Sequence, residues 1–261
     1  MTTLTVLGGS AAGVGTGQGC SGYLVQSGRT SVVLDLGPDT LLELRKHADM
    51  RTLDGIIVSH LHMDHILDLF ALRFALAYAP TRTHRRVPLW LPPGGLAFFS
   101  RAADLFGGDE DPTSFFTKIF DLNEYDPSEC LTLGILAISF EPTKHSVPCC
   151  AMRVHREDDP SGDLFYSGDT SDTAALNTFA EGARVILCES TLPETPVPES
   201  ERPHPHVSAQ EAARLALHAG ATTLVLTHIW EEDDPHRAVH LATQFFPGEI
   251  ILARPGEIVR W

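Results

Sequence analysis

The chain has 261 residues, 43% of them apolar, and a formal charge of −15 with histidine neutral. That length supports a well-buried core, and the acidity argues against a broad phosphate-binding surface while leaving room for a local basic patch such as Arg82-Thr-His-Arg-Arg86. The five cysteines, Cys20, Cys130, Cys149, Cys150 and Cys188, are odd in number and lack C-x-x-C spacing, which argues against a disulfide framework or a structural zinc knuckle and fits a cytoplasmic setting.

In chain order, the pattern predicts a strand at Leu4–Leu7, a glycine-rich loop over Gly8–Gly22, and strands at Tyr23–Gln26 and Ser31–Leu36. A helix at Thr40–His47 precedes a short buried strand, Gly55–Ser59, and an amphipathic helix over Ile66–Tyr78. A strand at Val87–Leu91, a helix at Gly95–Leu105 and an acidic turn at Gly107–Pro112 complete the first half. The second half reads as strands near Lys118–Leu122, Leu131–Gly134, Leu136–Glu141, Ala151–Arg156 and Leu164–Ser167. Helices at Thr173–Ala180, Ser208–Ala219 and Pro235–Phe245 then alternate with strands at Val185–Cys188, Thr223–Thr227, Ile250–Ala253 and Ile258–Trp261. Strand runs with interspersed helices in both halves suggest two packed sheets with helices outside. Apolar runs recur without a polar linker, so a single domain over residues 1–261 is expected, with Pro193–Pro205 as a loop. No stretch approaches the length of a membrane span, and no basic segment leads into an apolar run, so a soluble, unexported protein is expected.

Gly13, Gly15, Gly17 and Gly19 do not have the spacing of a dinucleotide fingerprint, and a strand rather than a helix follows them. The better reading is a loop whose backbone closely approaches a metal centre or a substrate phosphate.

The densest chemical signal is His60-Leu-His62-Met-Asp64-His65. Four ligand-type residues at the end of an apolar strand would be costly to bury without a partner. On a strand-to-helix turn, His60 and His62 can face one way while Asp64 and His65 face another, which suits two neighbouring ions. Imidazole and carboxylate donors suit zinc, with manganese or iron as alternatives. Three later strands end in a ligand-type residue: Thr143-Lys-His145-Ser, Tyr166-Ser-Gly-Asp169-Thr and Leu226-Thr-His228-Ile. Singly these are weak signals; in order after the first cluster they form a set.

In this set the chain resembles the metallo-β-lactamase fold superfamily of binuclear metal hydrolases, over nearly its whole length. The resemblance implies an α+β fold, a four-layer αββα sandwich with the metal site at one edge of the two sheets. It implies that His60, His62 and His145 hold a first divalent ion, that Asp64, His65 and His228 hold a second, and that Asp169 bridges them. An aspartate at 169 resembles the phosphodiesterase and glyoxalase branches. Cys20-Ser-Gly-Tyr23-Leu, His145-Ser-Val-Pro-Cys-Cys-Ala-Met-Arg-Val and Cys188-Glu-Ser-Thr191 followed by His206-Val-Ser resemble the ribonuclease Z group and its smaller phosphodiesterase relatives. In that group a glutamate orients a histidine that protonates the leaving oxygen, and Glu189 and His206 match those positions. Taken alone, Glu189 reads equally as a strand-end cap and His206 as a solvated loop histidine.

The expected function is a phosphodiesterase acting on a cyclic nucleotide or another small phosphodiester through a hydroxide bridging two ions, with Asp64, Glu189 and His206 as catalytic residues. A tRNA 3′ endonuclease is the runner-up, because the interval His145–Asp169 leaves no room for the arm that usually grips tRNA. Further alternatives are hydrolysis of a lactone, thioester or sulfate ester, and a non-catalytic metal-binding sensor or scaffold. No membrane partner is expected, and a homodimer is allowed. Phe98-Phe99 and Phe115-Phe116 read as core before they read as a dimer surface or substrate wall. Arg82, Arg85 and Arg86 read as a solvated loop before a phosphate contact, and His47, His84, His155, His204, His218, His236 and His240 take no role.

Overall fold

The computed structural model describes residues 1–80, 85–156, 158–192 and 206–261. Strands β1 (Thr2–Gly8), β2 (Gly22–Ser27), β3 (Thr30–Leu36), β4 (Gly55–Ile57), β5 (Val87–Leu91) and β6 (Phe120–Glu124) lie in one sheet. The second contains β7 (Leu131–Leu133), β8 (Leu136–Pro142), β9 (Cys150–Arg156), β10 (Asp159–Tyr166), β11 (Val185–Glu189), β12 (Thr223–Thr227) and β13 (Glu249–Leu252). The last strand, β14 (Ile258–Arg260), returns to the first sheet beside β1, and the helices begin with α1 (Thr40–His47) and include the short α4 (Pro112–Phe115) and α5 (Asn177–Ala180). The orders are β14-β1-β2-β3-β4-β5-β6 and β13-β12-β11-β10-β9-β8-β7.

Strand alternation sorts the apolar residues into layers. Val32 and Leu34 of β3 face inward with Met152, Val154, Leu187 and Val225 of the second sheet, forming the central core. Val33 between them faces outward, under α2 (Met63–Tyr78) and α3 (Gly95–Phe106), where Leu69, Leu72 and Phe99 pack. On the other side, Leu224 and Leu226 of β12 face outward under α6 (Ala209–Ala219) and α7 (Pro235–Ala242). The result is the expected four-layer αββα sandwich. Phe99, Phe115 and Phe116 are buried in the outer core beneath α3, in agreement with the packing reading.

Several boundaries differ from expectation for identifiable reasons. The strand expected over Gly55–Ser59 ends at Ile57, because Ser59 N leaves the ladder to donate to Asp35 Oδ1 at 2.7 Å. The helix expected from Ile66 starts at Met63, with His62 as N-cap, so Asp64 and His65 occupy its first turn. The helix expected at Thr173–Ala180 is a 3₁₀ turn, Ala174–Leu176, followed by a short α-helix, Asn177–Ala180. The last helix stops at Ala242 rather than Phe245; Thr243 Oγ1 donates to His240 O at 2.7 Å, a local bond that competes with continuation. Residues 193–205, expected as a loop, lie outside the described residues, as do Arg82 and His84.

Parallel pairing sets the site's position. β3 and β4 run parallel in one sheet and β10, β11 and β12 in the other, so their carboxyl ends emerge at one edge. Tyr23 Oη meets Thr227 Oγ1 at 2.7 Å and Tyr166 Oη donates to Asp35 at 2.6 Å, tying the two sheets together there.

Candidate metal centre

The buried turn after β4 brings Ser59 Oγ within 3.1 Å of His60 Nδ1, which aims His60 Nε2 away from the sheet. His60 Nε2 and His145 Nε2 both approach His62 Nδ1, at 3.0 and 3.1 Å, and lie 3.6 and 3.8 Å from Asp169 Oδ2. Across Asp169, His65 Nε2 is 3.5 Å from Oδ1 and 3.6 Å from Asp64 Oδ2. His228 Nε2 reaches Asp64 Oδ2 at 3.0 Å and Asp169 Oδ2 at 3.6 Å. All seven ligand-type residues from the sequence therefore converge: His60, His62, His145 and Asp169 form one group able to hold an ion, Asp64, His65 and His228 an adjoining one, and Asp169 and His228 also group with His206.

The chemistry of these atoms fits divalent cations. His65 Nδ1 is bonded to Asp35 Oδ2 at 2.8 Å, yet its Nε2 is buried with no hydrogen-bond partner. A buried ring nitrogen without a partner is costly, and a proton or a metal cation between it and the carboxylates of Asp64 and Asp169 relieves that cost. Burial, reinforced by the charge of His65, holds the His60 pKa well below the ordinary histidine value, so its lone pair is available. Burial alone would raise the Asp169 pKa, but His228, His65 and His60 hold it well below the usual carboxylate range. The same carboxylate and Asp35 overcome burial at His65 and raise its pKa well above the ordinary histidine value.

Supporting residues fix the rings, as partners of ligand histidines commonly do. Asp35 is fully buried, at φ 56° in the left-handed region, and accepts from Ser59 N, Ser59 Oγ, His65 Nδ1 and Tyr166 Oη. Thr191 Oγ1 lies 2.7 Å from His228 Nδ1 and donates to Glu189 Oε2 at 2.7 Å. Sequence patterns give Asp35 no mention and name Thr191 only as the end of the Cys188–Thr191 motif, with no role. The available signal for Asp35 was a lone carboxylate inside the apolar run Val32-Val-Leu-Asp-Leu36.

Glu189 is a buried hub rather than a simple strand-end cap. It accepts from Thr170 N at 2.7 Å and is 3.1 Å through each carboxylate oxygen from His206 Nδ1. His206 Nδ1 lies 3.9 Å from Asp169 Oδ2. Burial disfavours a charged His206, but the hydrogen bond and charge of Glu189 prevail and raise its pKa.

The glycine-rich loop approaches the centre through its backbone, as expected: Ala12 N donates to Asp64 Oδ2 at 3.0 Å. Arg85 and Arg86 do not join the site. They precede β5 at the far end of the strands, where Arg85 faces Asp54 at 3.9 Å and Arg86 faces Asp121 at 3.1 Å.

Comparison with known proteins accords with this geometry. The family model for the β-lactamase superfamily domain matches residues 30–229. The chain belongs to that superfamily. It is 36% identical to an uncharacterized protein of Mycobacterium tuberculosis over 87% of this chain and 80% of the relative. It is 30% identical to the probable metallo-hydrolase YhfI of Bacillus subtilis over 97% of both chains. The crystal structure of YhfI, a metallo-β-lactamase fold protein, superposes with a TM-score of 0.85 over the full length of both chains at 28% identity. A diphosphatase of the PhnP family shares the fold, with a TM-score of 0.76 at 21% identity over 100% of this chain and 98% of that one. The superfamily member is thus a metallo-hydrolase with clusters suited to divalent ions, and no helix among its described residues is long and apolar enough to cross a membrane.

Proposed function

We propose that the protein is a phosphodiesterase acting on a small phosphodiester, of which a cyclic nucleotide is the leading type, with two divalent ions, most suitably Zn2+. His60, His62 and His145 would hold one ion, Asp64, His65 and His228 the other, and Asp169 both. When bound there, the ions would supply polarisation of a phosphoryl oxygen and a water of near-neutral pKa.

The observation that carries the reading is the Glu189–His206 pair beside Asp169. With Nδ1 committed to Glu189, His206 has Nε2 to deliver a proton to the departing oxygen. An alkoxide leaving group needs that proton, whereas a thiolate does not, so the pair favours an oxygen ester. Ala12 N, by holding Asp64 Oδ2, fixes the carboxylate that completes the second cluster. The hairpin of β9 and β10 fills most of the interval between His145 and Asp169, and the charge of −15 disfavours a long RNA, so a small diester is preferred over a tRNA precursor.

The test is hydrolysis of bis(p-nitrophenyl) phosphate by metal-analysed protein, with Asp64→Ala as blank. Turnover that requires about two ions per chain and vanishes in the variant is the expected result. A metal-loaded protein that leaves the diester intact overturns the assignment.

A further inference from the structure

Between the glycine-rich loop and the segments that follow β12 and β13 lies a cavity of about 330 Å³, lined among others by Ser10, Thr16, Gln18, Ile229, Glu231 and Arg254. None of the cluster residues lines it, but both walls lead to the second cluster along the chain. Ile229 follows His228, and Ser10 pairs with Ile229 two residues before Ala12, whose N–H holds Asp64. Its volume falls in the range of small-molecule sites.

The polar groups of this cavity are fixed before any ligand arrives. Thr16 N donates to Glu231 Oε2 at 2.6 Å and Gln18 Nε2 donates to Ala253 O at 2.9 Å, so the glycine-rich loop is tied to the ends of β12 and β13. Because Ala253 O can only accept, the Gln18 amide is oriented: its Oε1 is an acceptor, and its second N–H remains a donor. Arg254 approaches His236 Nε2 at 3.3 Å with one nitrogen, leaving further guanidinium donors. Trp230, between the lining residues Ile229 and Glu231, is 38% exposed and lies alongside the glycine-rich loop, where a Cβ on Gly13 would stand 4.0 Å from its Cζ3. An exposed indole beside a polar slot offers a stacking face for a flat ring.

We infer that this cavity receives the nucleobase of the substrate, a base with a donor next to an acceptor on one edge, recognised by the Gln18 amide as carboxamides recognise adenine-type edges. The inference rests on the phosphodiesterase reading and specifies the group attached to the phosphorus. Trp230 would stack on the base and Arg254 would supply donors to ring or sugar acceptors.

The experiment measures kcat/KM for cyclic adenosine monophosphate, for the analogue lacking the exocyclic amino group, and for bis(p-nitrophenyl) phosphate. Wild-type, Gln18→Ala and Thr16→Tyr proteins, all metal-loaded, are compared. The Thr16 side chain is exposed, so the tyrosine obstructs the cavity without touching the core. Both variants are expected to lower the ratio of nucleotide to bis(p-nitrophenyl) phosphate efficiency at least about tenfold, one good polar contact's worth of discrimination. Gln18→Ala should also erase the preference for the amino-bearing base. A ratio unchanged in both variants overturns the inference while leaving the phosphodiesterase reading intact. Calorimetric binding of adenosine monophosphate to the same proteins needs no turnover. Binding that weakens in both variants supports the pocket even if no diester is cleaved, and equal binding in all three rejects it.

Discussion

His206 illustrates how a residue of ambiguous sequence context gains a role from its neighbours. Its ring is held by a buried glutamate within reach of both clusters, so His206→Ala should lower turnover about 10²–10⁴-fold while metal content stays at the wild-type level. Loss of bound metal in that variant would reassign His206 as a ligand. The Glu189 contact raises the His206 pKa, so the protonated acid persists above the ordinary histidine range and activity is lost as pH rises through the raised value. Glu189→Gln removes that support, and the alkaline limb of the kcat profile should move to lower pH when both metal-loaded proteins are compared. An unmoved limb would mean another group supplies the proton. Asp35 acts one step further back. Asp35→Asn weakens the hold on His65 Nδ1, and metal affinity should fall about 10–100-fold by competition with a chromophoric chelator.

At the scale of elements, the site depends on how closely β3 and α2 approach. A Cβ on Gly37 would stand 1.8 Å from Asp64 O, the carbonyl that also accepts from Ser21 N at 3.2 Å. Backbone cannot yield as a side-chain tip can, so Gly37→Ala must displace the first turn of α2. A loss of about 1–3 kcal/mol is expected, together with weakened metal binding, read by denaturant titration with and without metal. Wild-type stability in that variant would show that the turn relaxes freely. Two of the element boundaries that sequence patterns misplace, the end of β4 and the start of α2, lie at this same junction. Ser59 is apolar-run continuation by pattern, but its hydrogen bonds go to Asp35, thirty-five residues into the chain and invisible to a local window.

For the whole molecule, the two sheets are joined at the site edge by a buried patch of polar and ionisable groups. His60, Asp64, His65, Asp169 and His228 are all buried there, with carboxylates and imidazoles drawn from both halves of the chain. Bound ions would be held only by the folded form, so chelation should lower Tm. Saturating metal at about a thousandfold excess over Kd adds about 4 kcal/mol per site. A Tm insensitive to chelation would argue that the clusters carry no structural metal.

By itself the sequence determined the layered architecture and the ligand-type residues. Alternating apolar strands with amphipathic helices admit few packings, and the His60–His65 cluster announces itself by local composition, whereas the three strand-end residues are weak singly and gain meaning only in order after it. The pairing of Glu189 with His206 was legible only through family resemblance, since a strand-end acid and a loop histidine carry no local signature. Only the tertiary structure decided that Asp35 steers His65, that Thr191 links His228 to Glu189, and that a loop amide at Ala12 holds Asp64. Those contacts join segments far apart in the chain, and their geometry follows from sheet register and close backbone approach, which no local pattern of residue types encodes.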